Sequence, residues 1–420
     1  MAGISSSGPD SHRYGWLDAL RGIAALVVVL DHSSYSYLPE FRRELMPHFN
    51  TSRYGIMVFF LVSGYIIPAS LERRRCVRTF WTGRLLRIYP LYAAVITLAL
   101  AFDLTRIAEI GPDLDGQSPA SVAVAHITLL QELLGTPNLL LVLWTLSYEM
   151  AFYLLVVCLF TVRLHRHSAA VSATLAVLAA ASAMAGIALP TSALSGAVGT
   201  GPLIVWASLT MAVAIGCASA EAYALRVFGG VLGAVPALVL VALNATVPLW
   251  ESLVILAVMF LGTAVHRAER GQITWARAGC TTAVVLVCAV ASANWYGDGR
   301  QFTAGGWTLA FAAAVLTFAT GLALRHHRTP RPLTALGIIS YSVYLVHPLL
   351  LAVSDGTLGR SRQDDPVREV LFVAVLLPLS ALTYRFVEVP GRNPRRSRDG
   401  LDALHVLLAP LAERRHRRIE

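Results

Sequence analysis

Lysine is absent from this chain of 420 residues: all 34 basic side chains are arginine, set against 25 acidic ones for a net charge of +9. Charge of either sign is scarce, at 14% of residues, where an ordinary soluble domain carries about 25%. That scarcity excludes intrinsic disorder and makes a soluble globular protein of this length untenable. Cysteine is sparse as well. Cys76, Cys158, Cys217, Cys280 and Cys288 form no CxxC pair and no metal-like spacing, so neither a disulfide scaffold nor a metal site is expected. A small-residue cleavage pattern is missing after the first apolar run, which is therefore expected to stay as an anchor and not to be removed as a signal peptide. The abundance of alanine beside the arginine points to a GC-rich, bacterial coding bias.

What is present in excess is apolar: 56% of residues are hydrophobic and the mean hydropathy is +0.61. Windows of about 19 residues place membrane spans near 16–38, 54–70, 85–104, 139–162, 169–189, 201–220, 227–243, 250–265, 278–296, 305–324, 334–353 and 367–388. The expected fold is an all-α polytopic transmembrane helical bundle of ten to twelve spans over 13–390, followed by a basic tail over 391–420 without a second catalytic domain. Ser121 to Leu134, interrupted by His126, Gln131 and Glu132, reads as an interfacial or re-entrant helix. Arginine is retained on the cytoplasmic side of bacterial membranes. The loops holding Arg73 to Arg78, Arg163 and Arg166, Arg267 to Arg277 and Arg325 to Arg331 are therefore read as cytoplasmic, with both termini. The alternate loops are uncharged or acidic, with Glu109, Asp113 and Asp115 in one of them, although Arg42, Arg43 and Arg53 run against the bias. The net positive charge thus has a topological meaning, with lipid as the partner, and no nucleic-acid partner is expected.

Ionisable groups inside spans are costly in hydrocarbon and mark function. In WLDALRGIAALVVVLDH, Trp16 to His32, Arg21 and His32 are eleven residues apart, which places them on one helix face about 16 Å apart along the axis. Asp18 stands three residues before Arg21 and can pair with it. In FWTGRLLRIYPLY, Phe80 to Tyr92, Arg84 and Arg87 share a face beside the most basic loop, where two guanidinium forks could hold a phosphorylated donor or contact lipid phosphate. Glu149 interrupts the apolar run WTLSYEMAFY and must find a partner or a proton. Ser340, Tyr344 and His347 of ISYSVYLVHP form one polar stripe, and YGIMVFFLVSGYII carries Ser63 and Gly64 where backbones can approach closely.

Taken in order, these segments and the terminal YRFVEVPGR resemble the acyltransferase 3 family of integral membrane O-acyltransferases, from about Arg13 to Arg392. That family includes polysaccharide, lipopolysaccharide and peptidoglycan O-acetylases and antibiotic-sugar acyltransferases. The resemblance implies an acyl-coenzyme A donor, with acetyl-CoA expected, no permanently bound cofactor, and a carbohydrate or glycosylated small-molecule acceptor. It implies catalytic roles for His32 and Glu149, donor binding by Arg21, Arg84 and Arg87, and a substrate pocket that includes Ser340, Tyr344 and His347. Imidazole titrates near neutrality and suits a general base, while a thioester arrives already activated. Direct transfer and a transient acyl-His32 relay are both open at this level. Helix rise places His32 beyond the bilayer midplane, at the outer end of an expected polar tunnel lined by Arg21, Glu149, Ser340, Tyr344 and His347. The rival reading is a proton-coupled transporter of a small solute, since intramembrane His, Glu and Arg also line such pathways.

Overall fold

A computed structural model describes residues 15–108, 116–299 and 303–392. The acidic loop residues Glu109, Asp113 and Asp115, the chain before Gly15 and the tail beyond Arg392 lie outside the described residues. The described chain is helical, without strands. The first five helices are α1 (Gly15–Tyr37), α2 (Pro39–Leu45), α3 (Thr51–Arg74), α4 (Val77–Leu104) and the short α5 (Pro119–Thr128). Next come α6 (Trp144–Thr161), α7 (Ser168–Met184), α8 (Ala193–Val198), α9 (Thr200–Ala218), α10 (Tyr223–Leu243), α11 (Leu249–Glu269) and α12 (Trp275–Tyr296). The last are α13 (Ala304–Ala323), α14 (Arg331–Ile338), α15 (Ser340–Leu358), α16 (Pro366–Thr383) and, after a π turn over Tyr384–Glu388, α17 (Val389–Arg392).

Among the described residues, ten helices are long and apolar enough to cross a membrane, or up to eleven when α14 and α15, bent by 65°, count as one span. Helix α1 has the length, at 23 residues, but carries Asp18, Arg21 and Asp31. It escapes lipid by lying inside the bundle, with fifteen of its residues buried against α3, α13, α14 and α15. Helix α11 is the other central element, 83% buried over its most apolar stretch, whereas α9 and α16 are 22% and 17% buried and turn most of their apolar surface outward. This is a multi-pass membrane protein.

Helix ends follow from local chemistry. Asn50 caps α3 by accepting from the Arg53 N–H, and Asp365 caps α16 by accepting from the Arg368 N–H. Arg75, in the left-handed region at φ 53°, stops α3, and after the extended Cys76 the chain restarts at once. The third span therefore begins at Val77 and not near 85, which places Arg84 and Arg87 inside the helix and not at its start. The fifth expected span, α7, ends at Met184 and not near 189, and Gly186 turns the chain after it through φ 64°. The stretch from Ser121 becomes the ten-residue α5 and a 3-10 turn at Glu132–Leu134, too short to span.

Two crossings need glycine. A Cβ on Gly64 would sit 1.8 Å from the Met259 carbonyl oxygen, and one on Gly262 would sit 2.2 Å from that of Leu61, so α3 and α11 touch backbone to backbone. Gly337 does the same for α14 on α1, its added Cβ falling 1.8 Å from the Asp18 carbonyl oxygen. The bundle thus has a near end, with the α1 start, the Glu72–Arg267 and Arg325–Glu269 ion pairs and Arg392, and a far end with the Tyr37–Ser354 and Arg53–Glu251 contacts.

Because no rotamer relieves a clash with backbone, Gly64→Leu and Gly262→Leu are expected to cost well over the ~1–3 kcal/mol of ordinary overpacking. Gly279→Leu, where a side chain meets nothing within 4 Å, should be neutral. Thermal size-exclusion profiles of detergent-extracted protein check this: equal melting of all three variants would refute the backbone contact.

Candidate active site between two cavities

Helix α1 presents the same face to two different spaces. Toward the near end, Arg21 lines an inner cavity with Ser63 of α3, Arg87 of α4, Glu149 and Tyr153 of α6, and Ser340 and Tyr344 of α15. Toward the far end, His32 lines a larger vestibule with Asp31, Tyr35, Arg42, Trp144, Glu251 and Tyr296. A third space opens at the near end between Ser70, Arg74, Arg84, Arg87 and Arg392. Arg87 lines both this mouth and the inner cavity, and so joins them.

The sequence-predicted residues therefore gather into one line through the bundle, with differences in detail. Arg21 pairs loosely with Asp18 at 3.8 Å, as their spacing suggested. Glu149 finds its partner one turn on, accepting from the Tyr153 hydroxyl at 2.6 Å. Arg84 and Arg87 separate in role: Arg84 donates to Ser70 Oγ at 2.8 Å and lies over the rings of Phe80 and Tyr153, and it lines only the mouth. The guanidinium of Arg87 makes no hydrogen bond or ion pair among the described residues. Ser340 Oγ is buried and likewise lacks a hydrogen-bond partner.

His347 lines neither cavity. It is fully buried and meets His32 edge to edge, with ring centroids 5.2 Å apart and planes 13° from parallel. Its Nε2 lies 2.9 Å from His32 Nδ1 and its Nδ1 lies 3.0 Å from the Val343 carbonyl oxygen. The single tunnel expected from the sequence is divided here: the inner cavity and the vestibule share no lining residue. Tyr344 stands between them, its hydroxyl bonded to Thr145 Oγ at 2.7 Å and to the Val142 carbonyl at 2.9 Å, its ring against Phe59 and His347. The division has a physical cause, because the Tyr344 ring, held at both its edge and its hydroxyl, fills the gap.

With that geometry the sequence comparisons are decisive, since the profile of an acyltransferase domain matches residues 14–385. The chain belongs to the acyltransferase 3 family. Its relatives include the acyltransferase MdmB of Streptomyces mycarofaciens, 31% identical over 33% of this chain and 37% of that protein. YrhL of Bacillus subtilis, whose name assigns it provisionally to peptidoglycan O-acetylation, is 24% identical over 91% of this chain and 55% of its own length. The peptidoglycan O-acetyltransferase OatA of Listeria monocytogenes is 26% identical over 33% of this chain and 23% of its length. The matches thus span from about a quarter to little more than half of these relatives. No solved structure matches the chain.

Several site residues escaped the sequence reading. Asp31 is held by Thr51 Oγ1 at 2.5 Å and by an Arg42 guanidinium nitrogen at 3.0 Å, with its second oxygen 3.9 Å from His32 Nε2. Arg53 grips Glu251 with two bonds of 2.5 and 3.2 Å, and Trp307 Nε1 donates to the same carboxylate at 3.0 Å. Arg42 and Arg53 had a visible signal, since they break the arginine bias of the loops and so demand a carboxylate. Arg392 had none; the π turn before it brings Glu388 to Ser342 and Arg392 to the mouth.

Glu251→Leu leaves the Arg53 charge and the Trp307 N–H unpartnered at the vestibule floor, at a cost on the order of 3 kcal/mol. A lowered melting temperature in detergent is the expected result, partly restored by Arg53→Met in the same chain. A double variant no more stable than Glu251→Leu would show that the pair is not coupled.

Proposed function

We propose that this chain is an inner-membrane O-acyltransferase that moves an acyl group, acetyl in the first instance, from acyl-CoA to a hydroxyl of a cell-envelope glycan or a glycosylated metabolite. The observation that carries the reading is the placement of Arg21 and His32 by one helix, on opposite sides of Tyr344 and in two spaces with opposite mouths. The near end is the cytoplasmic one, because its loops hold most of the arginine. The donor enters there. Arg84, Arg87 and Arg392 bind its phosphates by charge-assisted hydrogen bonds, Arg84 pre-oriented by Ser70 and Arg87 unencumbered. The flexible acyl-bearing arm passes Arg87 into the inner cavity, where Arg21, Glu149 and Ser340 offer polar contacts.

The acceptor occupies the far vestibule, where Tyr35, Trp144 and Tyr296 supply aromatic surface and the Asp31, Arg42, Arg53 and Glu251 network supplies polar contacts. His32 Nε2 points its lone pair toward that space. In direct transfer the acceptor oxygen attacks the thioester carbonyl as its proton moves to Nε2; the carbon–sulfur bond breaks and the coenzyme leaves as a thiolate that takes up a proton. In the relay variant Nε2 itself carries the acyl group between the two half-reactions, with the same overall balance. Both routes require the thioester to pass Tyr344 and reach His32 Nε2; the relay differs in that donor and acceptor meet it in turn.

The relatives named for peptidoglycan O-acetylation support a glycan acceptor, and the relative named an acyltransferase keeps a smaller one in view. In the rival reading of a proton-coupled transporter, the charged groups form a solute pathway without bond making. Purified chain and [14C]acetyl-CoA separate the two: the enzyme releases coenzyme A thiol, and His32→Ala lowers that rate by about 10² to 10⁴ with expression unchanged. Wild-type turnover in a folded His32→Ala variant would remove His32 from the mechanism, and no thiol release from the wild type, with or without an envelope extract, would sink the enzyme reading.

Arg87→Lys keeps the charge and loses the fork, so coenzyme A affinity measured by calorimetry should fall about 10-fold or more. Arg84→Lys should cost less, because the ring contacts and Ser70 hold the cationic group in place. Unchanged affinity in both variants and in the double variant would refute donor binding at this mouth.

A further inference from the structure

We infer that His347 is a positioning residue that fixes the tautomer of His32, leaving the His32 Nε2 lone pair free for chemistry in the vestibule. The inference deepens the proposed reading of His32 as base or acyl carrier and rests on it for its functional consequence, but its structural content stands on three contacts.

The first is the Val343 carbonyl oxygen, 3.0 Å from His347 Nδ1. A carbonyl only accepts, so that nitrogen carries a proton. A neutral imidazole has a single N–H, which makes His347 Nε2 an acceptor. The second contact is the 2.9 Å approach of that Nε2 to His32 Nδ1. With an acceptor on one side, His32 Nδ1 must donate, and the one proton of a neutral His32 is thereby placed on Nδ1 and its lone pair on Nε2. Reversing both rings would keep the contact between them but set the His347 Nδ1 lone pair against the Val343 carbonyl oxygen, and reversing His32 alone would oppose two lone pairs between the rings, each at the fully buried His347. The third contact is the 3.9 Å gap between His32 Nε2 and Asp31 Oδ2, too long for a hydrogen bond. Nothing in it competes for the lone pair, while a proton arriving at Nε2 meets a carboxylate already held by Thr51 and Arg42. Ring orientation is fixed together with the tautomer, because the two rings meet edge to edge through this contact with planes 13° from parallel.

The direction of the relay makes side-chain length the test. Glutamine at 347 can set its amide oxygen where His347 Nε2 lies and still accept from His32 Nδ1–H; asparagine can reach the Val343 carbonyl but not His32. Both are polar, smaller than histidine and compatible with the same helix, so a folding defect would be shared. The probe reaction is thiol release from acetyl-CoA by the purified full chain. His347→Gln is expected to keep kcat within about 10-fold, and His347→Asn to lose about 10²-fold or more, with KM for acetyl-CoA moved by less than about twofold in each. The independent readout is the 15N spectrum of histidine-labelled protein, with His32→Ala assigning the resonances: His32 should be the Nδ1–H tautomer in the wild type and His347→Gln, and a mixture in His347→Asn. Equal losses in the two variants, or an unchanged His32 tautomer in His347→Asn, would overturn the positioning role. A tautomer change without any wild-type thiol release would support the role of His347 while defeating the enzyme reading.

Discussion

A helix that carries Asp18, Arg21, Asp31 and His32 cannot face hydrocarbon, and the remainder of the bundle is arranged to keep it from doing so. Each group is costly in lipid unless it is paired or opens on a polar space, so α1 is surrounded by α3, α13, α14 and α15. Close wrapping in turn requires backbones to approach, which explains why Gly337 rests on the Asp18 carbonyl and why α3 and α11 meet at Gly64 and Gly262. The bend between α14 and α15 belongs to the same constraint: α14 crosses α1 at Gly337, and the 65° turn that follows sends α15 along α1 so that His347 reaches His32.

Many charges are closed into pairs, as with Arg53 and Glu251 in the vestibule, Arg267 and Glu72, or Glu388 and Arg392. Other groups that line the cavities keep spare capacity: among the described residues the Arg87 guanidinium makes no hydrogen bond or ion pair, Ser340 Oγ is unbonded, Glu149 accepts from Tyr153, and His32 Nε2 stands 3.9 Å from the Asp31 carboxylate. Unspent hydrogen-bonding capacity inside a membrane is unfavourable without a ligand. Where such capacity lines a cavity, as at Arg87 and Ser340, it is the physical argument that the cavity binds something.

Much of this was legible in the sequence because apolar length and the rarity of charge are strong signals in a membrane. Each of the twelve expected spans overlaps a helix, ten or eleven of the described helices being long and apolar enough to cross a membrane, the Arg21 and His32 spacing maps onto one helix face, and the Ser340, Tyr344 and His347 stripe lies on one buried face of α15. The places where sequence reading failed share a cause. Whether α4 starts at Val77 or eight residues later depends on a left-handed Arg75, and whether three polar residues line one tunnel or split it depends on which way the Tyr344 ring turns. Neither property is periodic, and both are settled by tertiary contact. Arg392 is the extreme case, brought to the mouth by a π turn that shifts the register of the final helix.

The division at Tyr344 has a reason of its own in an energised membrane. An open polar channel through the bundle, running from Arg21, Arg87 and Glu149 at one end to the paired Arg42, Asp31, Arg53 and Glu251 at the other, would be a continuous path for ions and water. It would leak, and it would expose any thioester held inside to hydrolysis. A single aromatic ring, tied by its hydroxyl to Thr145 and Val142 and packed on Phe59, closes that path without separating the chemistry, because its other face touches His347, which in turn holds His32. The barrier and the proposed reacting centre are therefore adjacent, because the ring that divides the two spaces packs on the histidine that holds His32.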